Sequence, residues 1–279
     1  MAEFVLRPWR TSDLPQMRQL ITDTYGDPPE VTDAFYRHFL TPDSCLVAEA
    51  EGTIVSACYA LPGPEIRWPM GNGYSTEYLY AMSTREAYRG HQLGVTLSRR
   101  IIDEILDRSD CAYGVPASPG LFPVYQRICG TTPFTDVMEN TQDRETLLQY
   151  PTAEATPISP TRYAALREEM LANQAHGIYP AAYFALMEEF GVRFLALPGA
   201  LAAAETVDGV CHVWELLAPA GNVPTVAAAV AALCPAELYI LRTPLFWPGE
   251  GKRRTFTSGR MREGLPTPPA DCWLPFSLE

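Results

Sequence analysis

The sequence lacks several features that would assign its class at once. It has no run of about 18–20 uninterrupted apolar residues, the length that a membrane-spanning helix needs. None of its seven cysteines forms a Cys-x-x-Cys pair, and its four histidines are scattered singly. These absences argue against a membrane protein, a disulfide framework and a zinc site, and they predict reduced thiols. Because the first residues also lack the basic-then-apolar order of a signal peptide, we expect a cytoplasmic protein.

Basic residues are few, and all but one of them are arginine. The chain has 21 Lys and Arg against 33 Asp and Glu, a formal net charge of −12, and its one lysine is Lys252. An acidic surface repels the phosphate backbone, so DNA and RNA are disfavoured as partners unless a basic patch is hidden. A cationic or amine-bearing ligand is compatible with this charge.

Length and composition predict two globular domains. The chain has 279 residues, of which 47% are hydrophobic and 19% charged, so that each half can bury a core. The stretch "PTAEATPISP" at 151–160 contains three prolines and is typical of a linker. We therefore predict one domain at 1–150 and a second at 151–279.

The first half has a mixed pattern of strands and helices. Strands are predicted at "FVLRPW", in a hairpin around Glu51-Gly52 and at "YSTEYLYAM", and helices at "LPQMRQLITDTYG" and "VTDAFYRHFL". The stretch "STREAYRGHQLGVTLSRRIIDE" then leads a glycine-containing turn into a helix. This order predicts an α/β (α+β) fold with a mixed sheet.

The turn at Arg89–Gly94 is the most informative stretch of the chain. Its residues precede a helix with Leu97, Ile101 and Ile105 at a spacing of four, which favours one buried face. Unpaired N–H groups at a helix start bind anions, glycines let the backbone approach closely, and Arg89 adds positive charge. The turn has neither the P-loop nor the GxGxxG pattern. It predicts a phosphate site, although both glycines are also typical of an ordinary turn.

These residues, followed by a strand at "CAYGVPA" and by "LFPVYQRICG", resemble the GNAT (GCN5-related N-acetyltransferase) superfamily. The family pattern Arg/Gln-x-x-Gly-x-Gly/Ala matches Arg89 and Gly94, while Gln92 stands where glycine is usual. The resemblance implies a GNAT-like acyl-CoA N-acyltransferase fold, acetyl-CoA as co-substrate, and no metal.

The same resemblance implies roles for individual residues. Tyr125 matches the tyrosine that protonates the leaving thiolate, and Glu77 matches a carboxylate that deprotonates the amine. The alternatives are a half-buried aromatic residue for Tyr125 and a solvent-facing position for Glu77. The residues implied in coenzyme binding are Met82, Ser83, Thr84, Arg89, Gly90, His91, Gln92, Leu93, Gly94 and Val95.

The second half repeats the order helix, helix, strands, helix, strand, and we interpret it as a second, degenerate GNAT-like domain. At the position of the turn it has "APAGNVPTV", in which a proline replaces one N–H donor at the helix start. We therefore expect coenzyme binding in the first half alone.

The resulting hypothesis is an N-acetyltransferase that moves an acetyl group from acetyl-CoA to a primary amine by direct attack. The acceptor is a small-molecule or peptide amine, and the sequence leaves a homodimer open. A non-catalytic acyl-CoA-binding or regulatory protein with the same fold is the alternative. A third interpretation is an enzyme that uses another thioester or an aminoacyl donor, because fold does not determine substrate.

Overall fold

The computed structural model describes residues 3–69 and 73–276. The chain forms two compact units, each built from three segments. The first unit contains Met1–Glu65, Tyr74–Pro133 and Ser258–Thr267, and the second contains Ile66–Gly73, Phe134–Thr257 and Pro268–Glu279. The domain ranges 1–150 and 151–279 stay predictions.

The elements are numbered along the chain. The strands are β1 Val5–Pro8, β2 Cys45–Ala50, β3 Thr53–Pro62, β4 Glu65–Arg67, β5 Thr76–Thr84, β6 Cys111–Gly114, β7 Thr132–Pro133, β8 Asp136–Asp143, β9 Thr156–Pro157, β10 His176–Ile178, β11 Arg193–Leu197, β12 Ala200–Val207, β13 Val210–Leu217, β14 Leu238–Thr243, β15 Lys252–Thr255 and β16 Ser258–Met261. The helices are α1 Leu14–Tyr25, α2 Pro29–Phe39, α3 Leu93–Arg108, α4 Phe122–Cys129, α5 Arg144–Leu147, α6 Pro160–Leu171, α7 Ala181–Glu189 and α8 Val223–Leu233.

The first unit contains a sheet of order β1-β2-β3-β5-β6-β16-β7. Strands β5 and β6 are parallel, and the other neighbours for which a register is given are antiparallel. The hairpin between β2 and β3 turns at Glu51 and Gly52, which have φ of 50° and 78°. Helix α3 covers one face of the sheet, and Leu97, Ile101 and Ile105 are fully buried there. The spacing of apolar residues in the sequence predicts this face.

Strand β5 is irregular in its second half. The register against β3 slips between Ala57 and Tyr59, and Ala81 on β5 has a φ of 46°, so the strand contains a bulge. On its other edge β5 pairs with β6 only as far as Tyr78 and Tyr113. Beyond this point the two parallel strands separate, and the backbone edge of β5 is left open toward the start of α3.

The second unit contains another mixed sheet, of order β15-β8-β14-β13-β12-β11-β9. Its parallel pair is β13 with β14, and the alanine-rich helix α8 packs on β12 and β13. A two-stranded ribbon of β4 and β10 stands apart from this sheet. Two large mixed sheets confirm the predicted α/β fold class.

The buried face of α6 differs from the predicted one. The helical pattern of "RYAALREEMLANQ" predicts that Leu166 and Met170 face the core, but both are partly exposed. The buried residues include Arg167, whose Nε lies 3.0 Å from a carboxylate oxygen of Glu215. A sequence pattern predicts that an arginine faces solvent. The burial of Arg167 could not be predicted because its partner, Glu215, lies on a strand far along the chain.

All seven cysteines are buried and form no disulfide. In the described ranges, no helix combines the length and the apolar character that crossing a membrane requires. Within the same residues, no group of three or more histidine, cysteine, aspartate or glutamate side chains is arranged to hold a metal ion.

Candidate active site

Helix α3 begins directly after the glycine-containing turn. In the described part of the chain, the backbone N–H groups of residues 90–95 donate to no protein acceptor, and the first helical bond runs from Thr96 N–H to Gln92 O at 3.0 Å. Free N–H groups at a helix start, together with the helix dipole, attract an anion. Arg89 is exposed beside them, and its Nε donates to the Thr84 carbonyl at 3.4 Å. The turn therefore has the donors and the positive charge of an anion cradle.

Gln92 occupies the N-cap of α3 in a left-handed conformation, with φ 58° and ψ 21°. Gly90 in the same turn has a φ of 87°. A side chain with a Cβ pays roughly 1–2 kcal/mol for this backbone region, and glycine pays nothing. The requirement for a left-handed residue explains why glycine suits the fourth position of the motif. The Gln92 side chain is exposed, so it does not fill the cavity described below.

We expect Gln92→Gly to leave the free energy of unfolding unchanged or to raise it by up to about 1 kcal/mol, because relief of backbone strain offsets the added freedom of the unfolded chain. Thr96→Gly, four residues later in regular helix, is the matched control and should cost about 0.5–1 kcal/mol. Urea denaturation of both variants measures the difference. An equal loss at the two positions would show that Gln92 is not strained.

A cavity of about 180 Å³ lies beside the start of α3. Its walls come from β5, α3 and α4 and are largely apolar. The lining residues are Met82, Gly94, Val95, Val124, Tyr125, Ile128 and Cys129. Four residues predicted from the sequence thus meet at one cavity, namely Met82, Gly94, Val95 and Tyr125.

Tyr125 projects from α4, which begins with a proline in its first turn and ends at Gly130 in a left-handed conformation. A Cβ on Gly114, at the end of β6, would lie 3.7 Å from the Tyr125 ring, so the ring lies close to the point where β5 and β6 separate. Burial raises the pKa of the Tyr125 phenol, and the thiols of Cys58 and Cys129 raise it further. The phenol is therefore protonated at neutral pH and can donate a proton.

The open half of β5 contributes backbone groups to the same region. The Met82 carbonyl accepts a hydrogen bond from the Tyr25 hydroxyl at 2.8 Å, and the Ser83 carbonyl accepts one from the Ser56 hydroxyl at 2.7 Å. The Thr84 hydroxyl lies 2.8 Å from that of Ser56. The Ser83 hydroxyl is buried and has no partner among the described residues.

The other residues predicted in the turn differ in their surroundings. The His91 side chain is exposed, and its ring centroid lies 5.4 Å from that of Phe4. The Leu93 side chain is buried in the core below α3. Because the Leu93 side chain lies in the core, this residue offers an anion only its backbone N–H group.

Glu77 lies near the start of β5, beside the C-terminus of α3. Its carboxylate accepts two hydrogen bonds from Arg108, at 2.8 and 2.5 Å, and one from Ser109 at 2.7 Å. These three donors stabilise the negative charge, and among the described residues Glu77 is not one of those that line the cavity. Its role as general base stays a prediction.

Tyr25, the last residue of α1, was not predicted as a site residue. Its ring lies close enough to Tyr125 for that phenol to raise the pKa of Tyr25, although burial is the larger cause. Nothing in the local pattern signals this position, because the hydrogen bond from Tyr25 to Met82 joins residues 57 apart in the chain.

The second unit has a smaller cavity at the corresponding helix, α8. The cavity beside the start of α8 measures about 20 Å³. Pro224 stands in the first turn of that helix, where its ring removes one N–H donor. Coenzyme binding by the first half alone stays a prediction.

Comparison with known protein families gives a match within the first half of the chain. Residues 5–128 match the acetyltransferase (GNAT) domain. No curated protein sequence matches the chain. The match covers the turn, α3 and Tyr125, and it confirms the resemblance drawn from those residues.

Solved structures show the fold of the whole chain. A protein of unknown function from Enterococcus faecalis, described as a probable N-acyltransferase, aligns over 94% of this chain and 73% of its own with a TM-score of 0.70 and 11% identity. A GCN5-related N-acetyltransferase from Kribbella flavida aligns over 94% and 72% with a TM-score of 0.70 and 13% identity. A tandem GNAT protein from the clavulanic acid biosynthesis pathway aligns over 95% and 100% with a TM-score of 0.61 and 12% identity. At these identities the likeness is one of fold, and it confirms an architecture of two GNAT-like halves.

Proposed function

We propose that this chain, in which residues 5–128 match the GNAT acetyltransferase domain and whose fold is that of tandem GNAT proteins, transfers an acetyl group from acetyl-CoA to a primary amine. The transfer occurs in the first unit by direct attack of the amine on the thioester.

One observation carries the proposal. The unpaired N–H groups of residues 90–95 lead into a cavity of about 180 Å³ that contains the hydroxyl-bearing ring of Tyr125. Acetyl-CoA has a pyrophosphate that needs an anion cradle and a thioester that needs an apolar cavity with a proton donor. Here these three parts are contiguous. The donor set therefore fits acetyl-CoA.

Each part of the site has a role of its own. The turn and Arg89 bind the pyrophosphate of the coenzyme, and the open backbone edge of β5 around Met82 pairs with its amide groups. The apolar walls contributed by Val95 and Val124 exclude water from the cavity. When bound, acetyl-CoA supplies an acyl group activated as a thioester.

Tyr125 holds the proton that the departing sulfur requires. A buried phenol keeps its proton at neutral pH, as the raised pKa of Tyr125 indicates. The attacking amine must be unprotonated, and Glu77 stays a prediction for the base because its carboxylate is bound by Arg108 and Ser109.

The coenzyme part of the proposal is tested by thermal unfolding with and without acetyl-CoA. Ligand at 100 times its dissociation constant stabilises a protein by about 2.7 kcal/mol, which is a shift of a few degrees. Arg89→Ala removes one positive charge from the cradle and should weaken binding about tenfold, which lowers the stabilisation by roughly 1.4 kcal/mol at the same ligand concentration. Arg162→Ala, an exposed arginine on α6 of the second unit, is the matched control.

A saturable shift that falls in Arg89→Ala and not in Arg162→Ala supports the cradle. If acetyl-CoA at millimolar concentration produces no shift, the proposal of a coenzyme-dependent enzyme is wrong. Equal shifts in the wild type and both variants would show that Arg89 does not contribute to binding and that the phosphates bind away from the turn.

A further inference from the structure

The C-terminus of α1 forms a fixed turn beside the cavity. Gly26 ends the helix in a left-handed conformation, with φ of 79°, and its N–H donates to the Thr22 carbonyl. The Thr22 hydroxyl in turn donates to the Asp27 carbonyl at 3.1 Å. Tyr25 and Asp27 are therefore held two residues apart on one ordered turn.

Tyr25 connects this turn to the cavity. Its hydroxyl donates to the Met82 carbonyl at 2.8 Å, and Met82 lines the cavity together with Tyr125. The Tyr25 ring is nevertheless 48% exposed, so that a ligand can reach it. The turn thus borders the cavity on the side of α1.

Tyr80 supplies a second phenol at the same place. It precedes Met82 by two residues on β5, and its ring packs 5.1 Å from Phe35 and 5.8 Å from Tyr78. These contacts hold the Tyr80 ring in one orientation. Tyr78 stacks on one side of the Tyr80 ring, while Tyr25 is exposed and Tyr80 partly exposed, and an accessible tyrosine face attracts a cation.

Asp27 places a carboxylate beside these phenols. Burial raises the pKa of both Tyr25 and Tyr80, and the carboxylate of Asp27 adds to the effect in each case. For Tyr125, the groups that add to burial are the thiols of Cys58 and Cys129. Asp27 therefore acts on the phenols of Tyr25 and Tyr80, and it is not one of the residues that line the cavity with Tyr125.

The carboxylate of Asp27 has no protein donor among the described residues. The neighbouring acids differ in this respect, because Asp23 lies 3.6 Å from Arg85 and Asp33 lies 2.5 Å from Arg18. Asp27 is also partly buried, and burial raises its pKa. A half-buried carboxylate without a partner is costly, and a ligand cation would offset that cost.

We infer that Asp27, Tyr25 and Tyr80 form a subsite for a second, non-reacting cationic group of the acceptor, so that the preferred acceptors are diamines or other amines that carry two positive charges. This inference rests on the proposed function, since it names the class of amine that the site accepts. Tyr125 lines the cavity and Asp27 is not among its lining residues, which assigns Asp27 to the non-reacting cation. The acidic surface, with a formal net charge of −12, favours the approach of such a ligand.

Two probes of equal chain length test the inference. Putrescine carries two ammonium groups, and aminobutanol carries one ammonium and one hydroxyl. Each is titrated calorimetrically into wild-type protein, Asp27→Asn and Glu30→Gln, with and without saturating CoA. Glu30 is an exposed acid in the first turn of α2, three residues further along the chain, so Glu30→Gln removes the same charge from a solvent-facing position.

We expect the wild type to bind putrescine more tightly than aminobutanol, and Asp27→Asn to lose about 10–100-fold in affinity for putrescine, the usual effect of losing a charge-assisted hydrogen bond. Affinity for aminobutanol and all affinities of Glu30→Gln should stay unchanged. The inference is overturned if the wild type does not bind putrescine, if it binds both probes equally, or if Asp27→Asn retains the preference.

A parallel assay of thiol release from acetyl-CoA separates this inference from the proposed function. Acetyl transfer to amines with no effect of Asp27→Asn on the preference for putrescine would refute the subsite and leave the proposed function intact. Putrescine binding that depends on Asp27, without transfer to either amine and without binding of acetyl-CoA, would support the subsite and refute the proposed function.

Discussion

Replacing Tyr125 with phenylalanine is expected to lower kcat for acetyl transfer by about 10²–10⁴-fold, the usual contribution of a positioned general acid. The ring still fills its place beside Gly114, and only the proton donor is lost. Binding of acetyl-CoA should stay within about twofold of the wild type, since no hydroxyl is needed to fill an apolar cavity. Thiol release at saturating acetyl-CoA, together with calorimetric binding, measures the two effects separately.

The control for this variant is Tyr150→Phe, which removes a hydroxyl from a partly exposed tyrosine of the second unit. It should leave kcat unchanged. Because the pKa of Tyr125 is raised, the donor form persists up to and beyond the ordinary tyrosine value of about 10, and kcat should not fall through neutral or mildly alkaline pH from loss of this proton. If Tyr125→Phe keeps full kcat, Tyr125 is not the proton donor and serves only as part of the wall.

Replacing Gly94 with valine is expected to weaken acetyl-CoA binding by at least about 100-fold, or roughly 2.7 kcal/mol. Gly94 lines the cavity, and a Cβ there would meet the Thr84 hydroxyl at 3.5 Å, an ordinary contact. The fold therefore tolerates a side chain at this position, while the added methyl groups take up space that the ligand needs. Calorimetric titration of acetyl-CoA gives the change in Kd, and circular dichroism shows whether the fold is retained.

Ala87→Val is the matched control, because it enlarges an exposed residue in the turn before Arg89. It should bind acetyl-CoA as the wild type does. Unchanged affinity in Gly94→Val, with the fold intact, would mean that the ligand does not occupy the cavity beside α3.

The sequence predicts the elements of the first unit well because its signals there are local. Apolar residues at a spacing of four mark the buried face of α3, and Glu51-Gly52 marks the hairpin turn, where both residues adopt positive φ. The turn from Arg89 to Gly94 is likewise a local pattern, since its glycines and its position before a helix can be seen without any tertiary structure.

Features that depend on distant pairing were not predicted. Strand β16, at Ser258–Met261, pairs with β6 although about 150 residues separate them, and its four residues have no periodicity that would place it there. From the sequence, Arg167 on α6 and Glu215 on β13 are both predicted to face solvent. Only the packing of the helix on the strand makes them a buried pair. Each of these contacts gains its energy only in the folded chain.

Only the residues of the candidate site that lie in local motifs were predicted. Gly94 and Tyr125 lie in recognisable motifs, and the structure brings both to one cavity. Tyr25 and Asp27 belong to no motif, because their relation to the cavity depends on a hydrogen bond to Met82 across the fold. Glu77 was predicted as the base because it is a carboxylate on an apolar strand. Only the structure shows that Arg108 forms an ion pair with it.

The central claim is that the first unit transfers an acetyl group from acetyl-CoA to an amine, and mass spectrometry of the products tests it most directly. The protein is incubated with acetyl-CoA and a panel that contains putrescine, amino acids and lysine peptides. The account predicts one acetylated amine for each free CoA thiol, with the yield falling in Tyr125→Phe and in Gly94→Val. If acetyl-CoA binds but no amine of the panel is acetylated, the protein is an acyl-CoA-binding protein with a GNAT fold, and the account is contradicted.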